Sequence, residues 1–214
     1  MPKQTFFNLP QEKRQKIEQA ALDEFSEYGF DNSNMNRIVA QSQIAKGSFY
    51  QYFDDKKDLY FHLIDSLVTR KISLFKPFLD SFKQNPFAKN LEEMFRIGLE
   101  FADSDPKYYR LSEDSAYKNP ALLQEFIEKY NPLAVDIYAQ MLNYASEMGE
   151  LHKDIDILLT ASFIGSLINQ TTISLISNAV PVAQRNEVIA ELIGFIERAV
   201  LMRSAKREGL GRRE

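Results

Sequence analysis

Apolar residues near the start of this chain recur with the spacing of an amphipathic helix. One apolar stripe, at i, i+3, i+4, i+8 and i+11, consists of Ile17, Ala20, Ala21, Phe25 and Tyr28. Such a stripe predicts a helix that packs on a core along one side. Residues 8–11, Asn-Leu-Pro-Gln, have the form of a capping box that begins the helix, and Gly29 is placed to end it.

Two shorter helices are predicted to follow. Residues 31–34 offer several polar N-cap side chains to a second helix, which carries Ile38. Residues 41–44 are too few for anything but a turn. Phe49 and Phe53, four residues apart, then anchor a third helix on the same core. A short helix, a tight turn and a second helix rich in hydrogen-bonding side chains form the pattern of a helix-turn-helix.

The rest of the chain shows no internal repeat and no strand alternation, only long amphipathic stretches separated by proline and glycine. The predicted helices span residues 55–83, 86–102, 105–113, 120–148, 154–177 and 182–203. Pro77 and Pro132 fall inside two of these helices and are expected to kink or split them. The sequence therefore predicts an all-α protein.

The last two of these stretches are apolar on more than one side. Their apolar positions are Ile155, Leu158, Leu159, Phe163, Ile164, Leu167 and Ile168 in one stretch, and Val188, Ile189, Leu192, Ile193, Phe195, Ile196 and Val200 in the other. A helix of this kind has to bury two faces, and a second copy of the chain is an economical way to cover the second face. We therefore expect a homodimer that forms through these two long helices.

Composition sets the class of protein without changing this picture. The chain has 214 residues, 44% of them hydrophobic and 26% charged, which is ordinary soluble composition with room for one large or two modest domains. There is no Cys, and His62 and His152 are far apart in sequence, so we expect no disulfide, no metal centre and no cofactor. The first residues lack the apolar run and small-residue cleavage site of a secretory signal, so we expect none, and the longest apolar stretch, 12 positions at residues 157–168, is short of a bilayer crossing. A cytoplasmic protein that does not enter the membrane is expected.

The net charge of −4 argues against a nucleic-acid-binding protein only if it is taken as an average. Residues 3–16 contain four bases and one acid, and residues 37–57 contain four bases and two acids, whereas residues 18–31 contain five acids and no base. The folded chain can therefore gather bases on one face and acids on another. This distribution is compatible with a local contact to DNA and is not by itself support for one.

Residues 17–59 resemble the DNA-binding domain of the TetR family of transcriptional regulators. The matching positions are Ile17, Ala20, Ala21, Phe25, Gly29, Phe30, Asn34, Ile38, Ile44, the run Lys46-Gly47-Ser48-Phe49-Tyr50, and Tyr52, Phe53, Lys56 and Leu59. They cover roughly a fifth of the chain and are specific in combination. The turn departs from the usual family pattern, since Val39, Ser42, Gln43 and Ala45 stand where Ala, Ala, Gly and Ser are common. Ala45 removes the hydroxyl that normally caps the recognition helix.

The resemblance implies that the third helix is a recognition helix that enters the major groove of DNA. The residues predicted to contact DNA are Asn34, Asn36, Arg37, Lys46, Gly47, Ser48, Tyr50, Gln51, Tyr52 and Lys56. Lys46 and Lys56, ten positions apart, are expected to neutralise phosphates on either side of the groove. Gly47 has no side chain, which lets the helix backbone approach the DNA closely.

The other predicted contacts divide between base edges and phosphates. Ser48 and Lys46, at the N-terminus of the recognition helix, and Asn36, from the preceding helix, are the candidates to reach base edges. Tyr50 and Tyr52 lie two positions apart, about 200° around a helix, so we expect them to reach different phosphates. As an alternative, both tyrosines fit an aromatic core stripe, although such a stripe does not explain the Lys-Gly-Ser run.

The resemblance also implies a small-molecule pocket among the middle helices, where aromatic residues are frequent. The residues predicted to line it are Phe95, Phe101, Tyr109, Tyr117, Tyr138, Met141 and Asn169. Asn169 is an amide in an otherwise apolar helix and needs a hydrogen-bonding partner there. Apolar walls with a few polar groups predict a small apolar or amphipathic effector.

Together these expectations make residues 1–54 a helix-turn-helix DNA-binding domain and residues 55–214 a larger helical domain for effector binding and dimerisation. The predicted function is that of a ligand-responsive repressor that binds an inverted-repeat operator in double-stranded DNA as a dimer. An activator built from the same parts and a helical sensor or adaptor that has lost DNA binding are the alternatives. An enzyme is not expected, because the sequence shows no nucleophile with its base, no phosphate-binding glycine loop and no metal-ligand cluster.

Overall fold

The structure is a computed structural model that describes residues 1–104, 106–107, 110–111, 119–176 and 179–202. The described residues form nine α-helices, two 3-10 turns and one isolated antiparallel bridge, between Leu151 and Leu201. The helices are α1 (Gln4–Phe7), α2 (Gln11–Asn32), α3 (Met35–Gln41), α4 (Lys46–Tyr52), α5 (Lys56–Ser81), α6 (Phe87–Ser104), α7 (Pro120–Glu147), α8 (Ile157–Ile176) and α9 (Arg185–Val200), and the 3-10 turns are Phe82–Gln84 and Val182–Gln184. The prediction of an all-α protein is confirmed.

The long helices lie close to the predicted ones. Five of the six predicted stretches correspond to α5 through α9, with ends that differ by at most three residues, and the sixth, residues 105–113, falls largely outside the described residues. Pro77 and Pro132 lie inside α5 and α7, which run on through them instead of splitting. A proline removes one backbone hydrogen bond, and the rest of a long helix remains to hold it together. Among the described helices, each is too short or too polar to span a lipid bilayer.

The helices group into two compact units. Unit 1 contains Met1–Lys76 and Glu100–Lys129, and unit 2 contains Pro77–Leu99 and Tyr130–Glu214. Unit 1 thus includes the first four helices and the first part of α5, whose Tyr60 ring lies 5.4 Å from the ring of Phe25, centroid to centroid. The predicted boundary after residue 54, between a DNA-binding domain and a domain for effector binding and dimerisation, stays a prediction.

The chain begins with a short helix, α1, that the sequence analysis missed. Asn8 is the C-cap residue of α1 and not the N-cap of a capping box. α2 starts at Gln11 after Pro10, and no side chain caps it. The capping-box prediction was therefore wrong. The physical reason is that Phe6 is fully buried, which holds the preceding residues in a helical turn of their own.

Aromatic rings fill the core of unit 1. Phe6 of α1, Phe25 of α2 and Phe49 of α4 are each at most 1% exposed. Phe53, which follows α4, stacks on Phe49 at 5.2 Å and lies 4.9 Å from Phe6, centroid to centroid. Complete burial of a ring of this size stabilises the fold by about 1.5–3 kcal/mol. The predicted anchoring of the third helix by Phe49 and Phe53 is confirmed, and it fixes how α4 lies against α1.

The backbone turns sharply where α2 meets α3. Gly29 has φ 70°, a left-handed conformation that glycine accepts without strain, so the regular helix breaks there as predicted, although helical turns continue to Asn32. Asn34 then begins α3, and its Oδ1 accepts a hydrogen bond from the backbone N–H of Asn36 at 2.8 Å. The prediction of a polar N-cap for the second helix is confirmed.

A buried carboxylate holds this corner together. Glu24 of α2 is 2% exposed although it carries a charge. Its oxygens accept hydrogen bonds from the backbone N–H of Asn34 at 2.6 Å and from the Arg37 guanidinium at 2.5–2.9 Å. Burial alone would raise the pKa of Glu24, but the hydrogen bonds from Arg37 and Asn34 and the nearby positive charges outweigh it, so the pKa lies below its ordinary value. Glu24 is therefore ionised at neutral pH.

Unit 2 is built on apolar contacts between long helices. Side chains that are at most 3% exposed include Leu91, Phe95, Met141, Leu142, Ala161 and Ile164. A Cβ atom added at Gly165 would lie 3.3 Å from the ring of Tyr138, so α7 and α8 approach each other closely at this point. The bridge between Leu151 and Leu201 joins the end of α9 to the connection between α7 and α8.

Replacing Glu24 with Gln is expected to lower the free energy of unfolding at pH 7 by about 2–3 kcal/mol, because a neutral amide accepts the forked hydrogen bonds of Arg37 less well than a carboxylate. The pKa of Glu24 is lower in the folded state than in the unfolded state. The stability that its charge provides is therefore present above the ordinary glutamate pKa of about 4.3 and is lost as the pH falls through the folded value. Urea denaturation at several pH values should show the difference between the two proteins shrinking in acid.

Glu27→Gln, at an exposed position of the same helix, is the matched control for this measurement. It should change the free energy of unfolding by less than about 0.5 kcal/mol. Equal stability of the wild type and Glu24→Gln at pH 7 would contradict the role assigned to Glu24.

Candidate nucleic-acid interface

α4 is the helix that the sequence analysis identified as a recognition helix. It spans Lys46–Tyr52 and follows a turn in which the Ser42 hydroxyl donates to the carbonyl of Ile38 at 2.6 Å. Gln43 has φ 56°, in the left-handed region that favours glycine. Ala45 occupies the N-cap position and offers no side-chain cap. The turn therefore forms without a glycine at position 43 and without a polar N-cap residue at position 45, which are the residue types that usually favour it.

One side of α4 is buried and the other is exposed. The exposed or half-buried residues, which we call the α4 face, are Lys46, Gly47, Ser48, Tyr50 and Gln51. Tyr50 is 52% exposed, and its ring stands edge-on to the ring of Phe49. The α4 face thus presents one cation, two hydroxyls and an amide around a glycine.

Tyr52 does not belong to the α4 face. It is 6% exposed, and its ring lies 6.3 Å from the ring of Phe6, centroid to centroid. The Tyr52 ring therefore fits the aromatic-core alternative, and the prediction that Tyr50 and Tyr52 reach different phosphates stays a prediction. A separation of about 200° around the helix explains why one tyrosine is buried when the other is exposed.

The predicted DNA contacts fall into two groups according to what they bind within the chain. The side chains of Asn36, Lys46, Ser48, Tyr50 and Gln51 make no hydrogen bond or ion pair with any residue that the structure describes. The polar side-chain groups of Asn34, Arg37 and Lys56, in contrast, bind other parts of unit 1. The first group has donors and acceptors available for another molecule.

Asn34 and Arg37 stabilise the corner between α2 and α3. The Asn34 side chain caps α3. The Arg37 guanidinium binds Glu24, donates to the carbonyl of Asn32 at 3.2 Å and lies 4.2 Å from the centre of the Tyr28 ring. The Asn34 Oδ1 and part of the Arg37 guanidinium are thus used within the fold, and a contact of these two side chains with DNA stays a prediction.

Lys56 is also engaged within unit 1. Its ammonium donates to the backbone carbonyls of Phe30 at 2.6 Å and Ser33 at 3.2 Å, with the carbonyl of Asp31 at 3.5 Å, and stands 4.5 Å over the Phe30 ring. Desolvation lowers the pKa of Lys56, an effect that the charges of Asp31 and Glu24 reduce. An ammonium has three N–H groups, so these carbonyls use its donors. Lys56 therefore has a structural role at the end of α2, and its expected phosphate contact stays a prediction.

Gly47 lies in open space on the α4 face. A Cβ atom added there would have no neighbouring atom within 4 Å. A glycine inside a helix destabilises it by about 1 kcal/mol relative to alanine. Nothing in the described fold requires a glycine at position 47. The close approach of another molecule to the helix backbone would explain it.

Sequence reasoning missed Glu24, although a signal was present. Glu24 lies seven residues after Ile17 and three after Ala21, which places it on the apolar stripe of α2. An acidic residue on a buried stripe has to find hydrogen-bond donors. The N-terminal residues Lys3 and Thr5, which bind the end of α4, were also missed, and no side-chain pattern indicated them.

The residues predicted to line an effector pocket differ in burial and in the unit to which they belong. Phe95, Tyr138 and Met141 are buried in unit 2, and burial raises the pKa of the Tyr138 hydroxyl. Phe101 is half-buried in unit 1, and Asn169 is exposed on α8, which differs from the interior position expected for it. Tyr109 and Tyr117 lie outside the described residues.

Two open clefts of unit 1, with volumes of about 420 and 580 Å³, are lined mainly by charged and polar side chains. None of the predicted effector residues that the structure describes lines either cleft. These clefts therefore do not match the apolar pocket that the sequence analysis expected.

Comparison with known proteins identifies one family for the segment that contains α4. Residues 17–63 match the family described as bacterial regulatory proteins, tetR family. A helix-turn-helix transcriptional regulator of Staphylococcus aureus strain USA300 is 37% identical over 90 residues, which make up 42% of this chain and 45% of that protein. A helix-turn-helix transcriptional regulator of strain bovine RF122 / ET3-1 is 33% identical over the same number of residues. The match thus spans less than half the length of these curated relatives.

Solved structures are similar over most of the chain. A TetR family transcriptional regulator from Chloroflexus aurantiacus J-10-FL is 29% identical, with a TM-score of 0.62, and the match covers 95% of this chain and 100% of that one. A TetR-family regulator from Syntrophomonas wolfei is 21% identical, with a TM-score of 0.70 over 88% of this chain and 94% of that one. The regulator FadR from Bacillus subtilis, solved with stearoyl-CoA, is 20% identical, with a TM-score of 0.68 over 84% and 97%. The last two similarities show a common fold.

Replacing Lys56 with Met is expected to lower the free energy of unfolding by about 1–3 kcal/mol, because carbonyls at the end of α2 lose a charged hydrogen-bond donor. Denaturant titration measures the effect. Lys57→Met removes the same charge from the next residue, whose ammonium forms an exposed ion pair with Glu125, and should cost less than about 1 kcal/mol. If the two variants were equally stable, Lys56 would not have the structural role described above.

Proposed function

We propose that this chain, a TetR-family transcriptional regulator and not an enzyme, represses transcription by binding an inverted-repeat DNA operator as a homodimer in the cytoplasm. Binding of a small effector then releases the operator. The observation that carries the proposal is the α4 face, where hydrogen-bonding groups are exposed and unused while the opposite side of the helix is buried.

Each residue of the α4 face suits a particular contact. Lys46 and Tyr50 offer an ammonium and a phenol to phosphates, which fix the position of the helix on the duplex. Ser48, near the N-terminus of α4, and Asn36, from α3, are suited to base edges in the major groove, where an amide binds adenine with two hydrogen bonds. Gln51 adds a second amide on the same side. Gly47 lets the helix backbone come close to the groove.

A dimer would set the spacing of the two recognition helices. Successive major grooves on one side of a duplex are about 34–36 Å apart. An effector that stabilises a different separation of the two copies of α4 lowers operator affinity by linkage, typically by about 1–3 kcal/mol. Affinity for the effector and affinity for DNA are then reciprocally coupled.

The dimer interface is proposed on α8 and α9. Leu158, Leu159, Phe163 and Leu167 of α8 are between 39% and 67% exposed, and Phe195 of α9 is 54% exposed. Residues 159, 163 and 167 are each four apart, so they form one apolar row along α8. Such a row can pack against the same row of a second copy around a twofold axis. This self-complementarity makes a second copy of the chain the occupant that we propose.

The effector is proposed to bind in unit 2, among Phe95, Tyr138 and Met141. These side chains provide apolar surface, and the Tyr138 hydroxyl, kept neutral by burial, provides a hydrogen-bonding group. A small apolar or amphipathic molecule fits this chemistry best.

An activator would use the same DNA contacts and differ in where its operator lies relative to the promoter. A sensor without DNA binding is not favoured, because it would have no use for the exposed donors of the α4 face.

Replacing Gly47 with Ala is expected to weaken operator binding at least tenfold, because the added methyl group would stand between α4 and the groove. The free energy of unfolding should stay the same or rise by up to about 1 kcal/mol, since alanine favours the helix and has open space around it. Fluorescence anisotropy at fixed salt, with an operator duplex selected from a random library by the wild-type protein, measures the affinity.

Gly98→Ala in α6 is the matched control, because a Cβ atom there also has no neighbour within 4 Å. It should bind the operator like the wild type. If Gly47→Ala bound as tightly as Gly98→Ala, α4 would not enter a groove as proposed.

Replacing Phe163 with Asp is expected to convert the dimer into a monomer, because it places a charge in the middle of the apolar row of α8. Sedimentation velocity of the full chain measures the change. Leu133→Asp, at a position of α7 that is 49% exposed, introduces the same charge elsewhere in unit 2 and should leave a dimer. A wild type that is monomeric at micromolar concentration, or a dimeric Phe163→Asp variant, would contradict the interface.

A further inference from the structure

α4 is too short to be stable without help at its ends. It contains seven residues, and Ala45 gives its first turn no side-chain cap. The last four carbonyls of any helix lack partners within the helix, and isolated helices of this length are marginal in water. The carbonyls of the last turn of α4 therefore need donors from elsewhere in the chain.

The N-terminal residues 3–6, which we call the arm, supply these donors. The backbone N–H of Lys3 donates to the carbonyl of Tyr52 at 2.7 Å, and the Lys3 ammonium donates to the carbonyl of Tyr50 at 2.9 Å. The Thr5 hydroxyl donates to the carbonyl of Gln51. Three successive carbonyls at the end of α4 are thus satisfied by two residues of the arm.

The arm also brings a suitable charge to this end of the helix. The C-terminus of a helix carries a partial negative charge, which a nearby cation stabilises. The Lys3 ammonium fills this role and forms an ion pair at 2.7 Å with Asp54, just beyond α4. Lys3 is therefore held between the last turn of α4 and the start of the following loop.

Phe6 fixes the arm to the core that supports α4. It is fully buried, and its ring lies 4.9 Å from that of Phe53, 6.3 Å from that of Tyr52 and 5.1 Å from that of His62, centroid to centroid. The arm thus has one anchor in the core and its donors at the end of α4. A displaced arm would release both together.

We propose that the arm is a positioning element for DNA binding, in which Lys3 and Thr5 hold the last turn of α4 so that Tyr50 and Gln51 face the DNA. This inference rests on the proposed function. Lys3 and Thr5 act through α4 and not by touching the DNA, so they are positioning residues. Loss of either cap lets the last turn fray, and Tyr50 and Gln51 then lose their fixed orientation.

The test compares Thr5→Val, which removes the hydroxyl, with Thr5→Ser, which keeps it. Thr5 is exposed, so neither change opens a cavity. Thr5→Val should weaken binding of the selected operator duplex about three- to tenfold, the factor that one net hydrogen bond is worth. Thr5→Ser should bind within about twofold of the wild type on the same grounds. Thr69→Val removes a comparable exposed hydroxyl, which donates to the carbonyl of Asp65 at 2.8 Å, and should leave affinity unchanged.

Two further measurements separate positioning from direct contact. Lys3→Met should weaken binding without changing the slope of log affinity against log salt, whereas loss of a phosphate contact would reduce that slope by about 0.9. In the DNA-free protein, hydrogen exchange of the Phe53 amide, which donates to the carbonyl of Phe49 in the last turn of α4, should be faster in Thr5→Val and unchanged in Thr5→Ser.

The outcomes distinguish this inference from the proposed function. If the wild type binds DNA and Thr5→Val binds equally well with unchanged exchange, the positioning role alone is overturned. A reduced salt slope in Lys3→Met would also overturn it, by making Lys3 a phosphate contact. If the wild type selects no operator from the library, the proposed function fails and this inference fails with it.

Discussion

Both helices of the candidate DNA-binding motif depend on a carboxylate that has almost no access to water. Glu24 needs donors because an unpaired buried charge costs several kcal/mol, on the order of 3–5 when a partner is removed. It finds them in the backbone of Asn34 and the guanidinium of Arg37, at the first turn of α3. α3 therefore cannot rotate away from α2 without leaving that charge unpaired. Since the turn to α4 starts from α3, the orientation of α4 follows from the same constraint.

The demand for pairing also engages two of the cations that were predicted to contact DNA. Arg37 and Lys56 are used inside unit 1, by a carboxylate and by backbone carbonyls, which leaves Lys46 as the cation of the α4 face. The other groups of that face are neutral hydroxyls, amides and exposed backbone. The DNA recognition that we propose for such a surface would rely on hydrogen bonds and close fit more than on charge, which is compatible with a net charge of −4.

The sequence predicted the helices well and missed several nonlocal contacts of side chains, for one physical reason. Helical periodicity and the anchors Phe49 and Phe53 are local signals, and the structure confirms them. The capping box failed because burial of Phe6, a nonlocal contact, creates α1. The bonds from Lys56 to backbone carbonyls were not predicted, because no side-chain pattern reveals such partners. The exposure of Asn169 depends on how α8 is rotated, and apolar residues on several sides of that helix left the rotation open.

The conformation of the turn between α3 and α4 is locally unfavourable in free energy, and packing in the rest of unit 1 has to compensate for it. Gln43 adopts φ 56°, a conformation that costs an ordinary side chain about 1–2 kcal/mol, and Ala45 provides no cap. Neither residue favours this geometry by itself, so we expect that the motif does not fold in isolation. Cut from the chain as a peptide, residues 33–53 would lose the bend, because the packing of Ile38, Phe49 and Phe53 against neighbours imposes it. The shape of the proposed DNA-binding surface therefore depends on packing contacts between these two helices and the rest of unit 1.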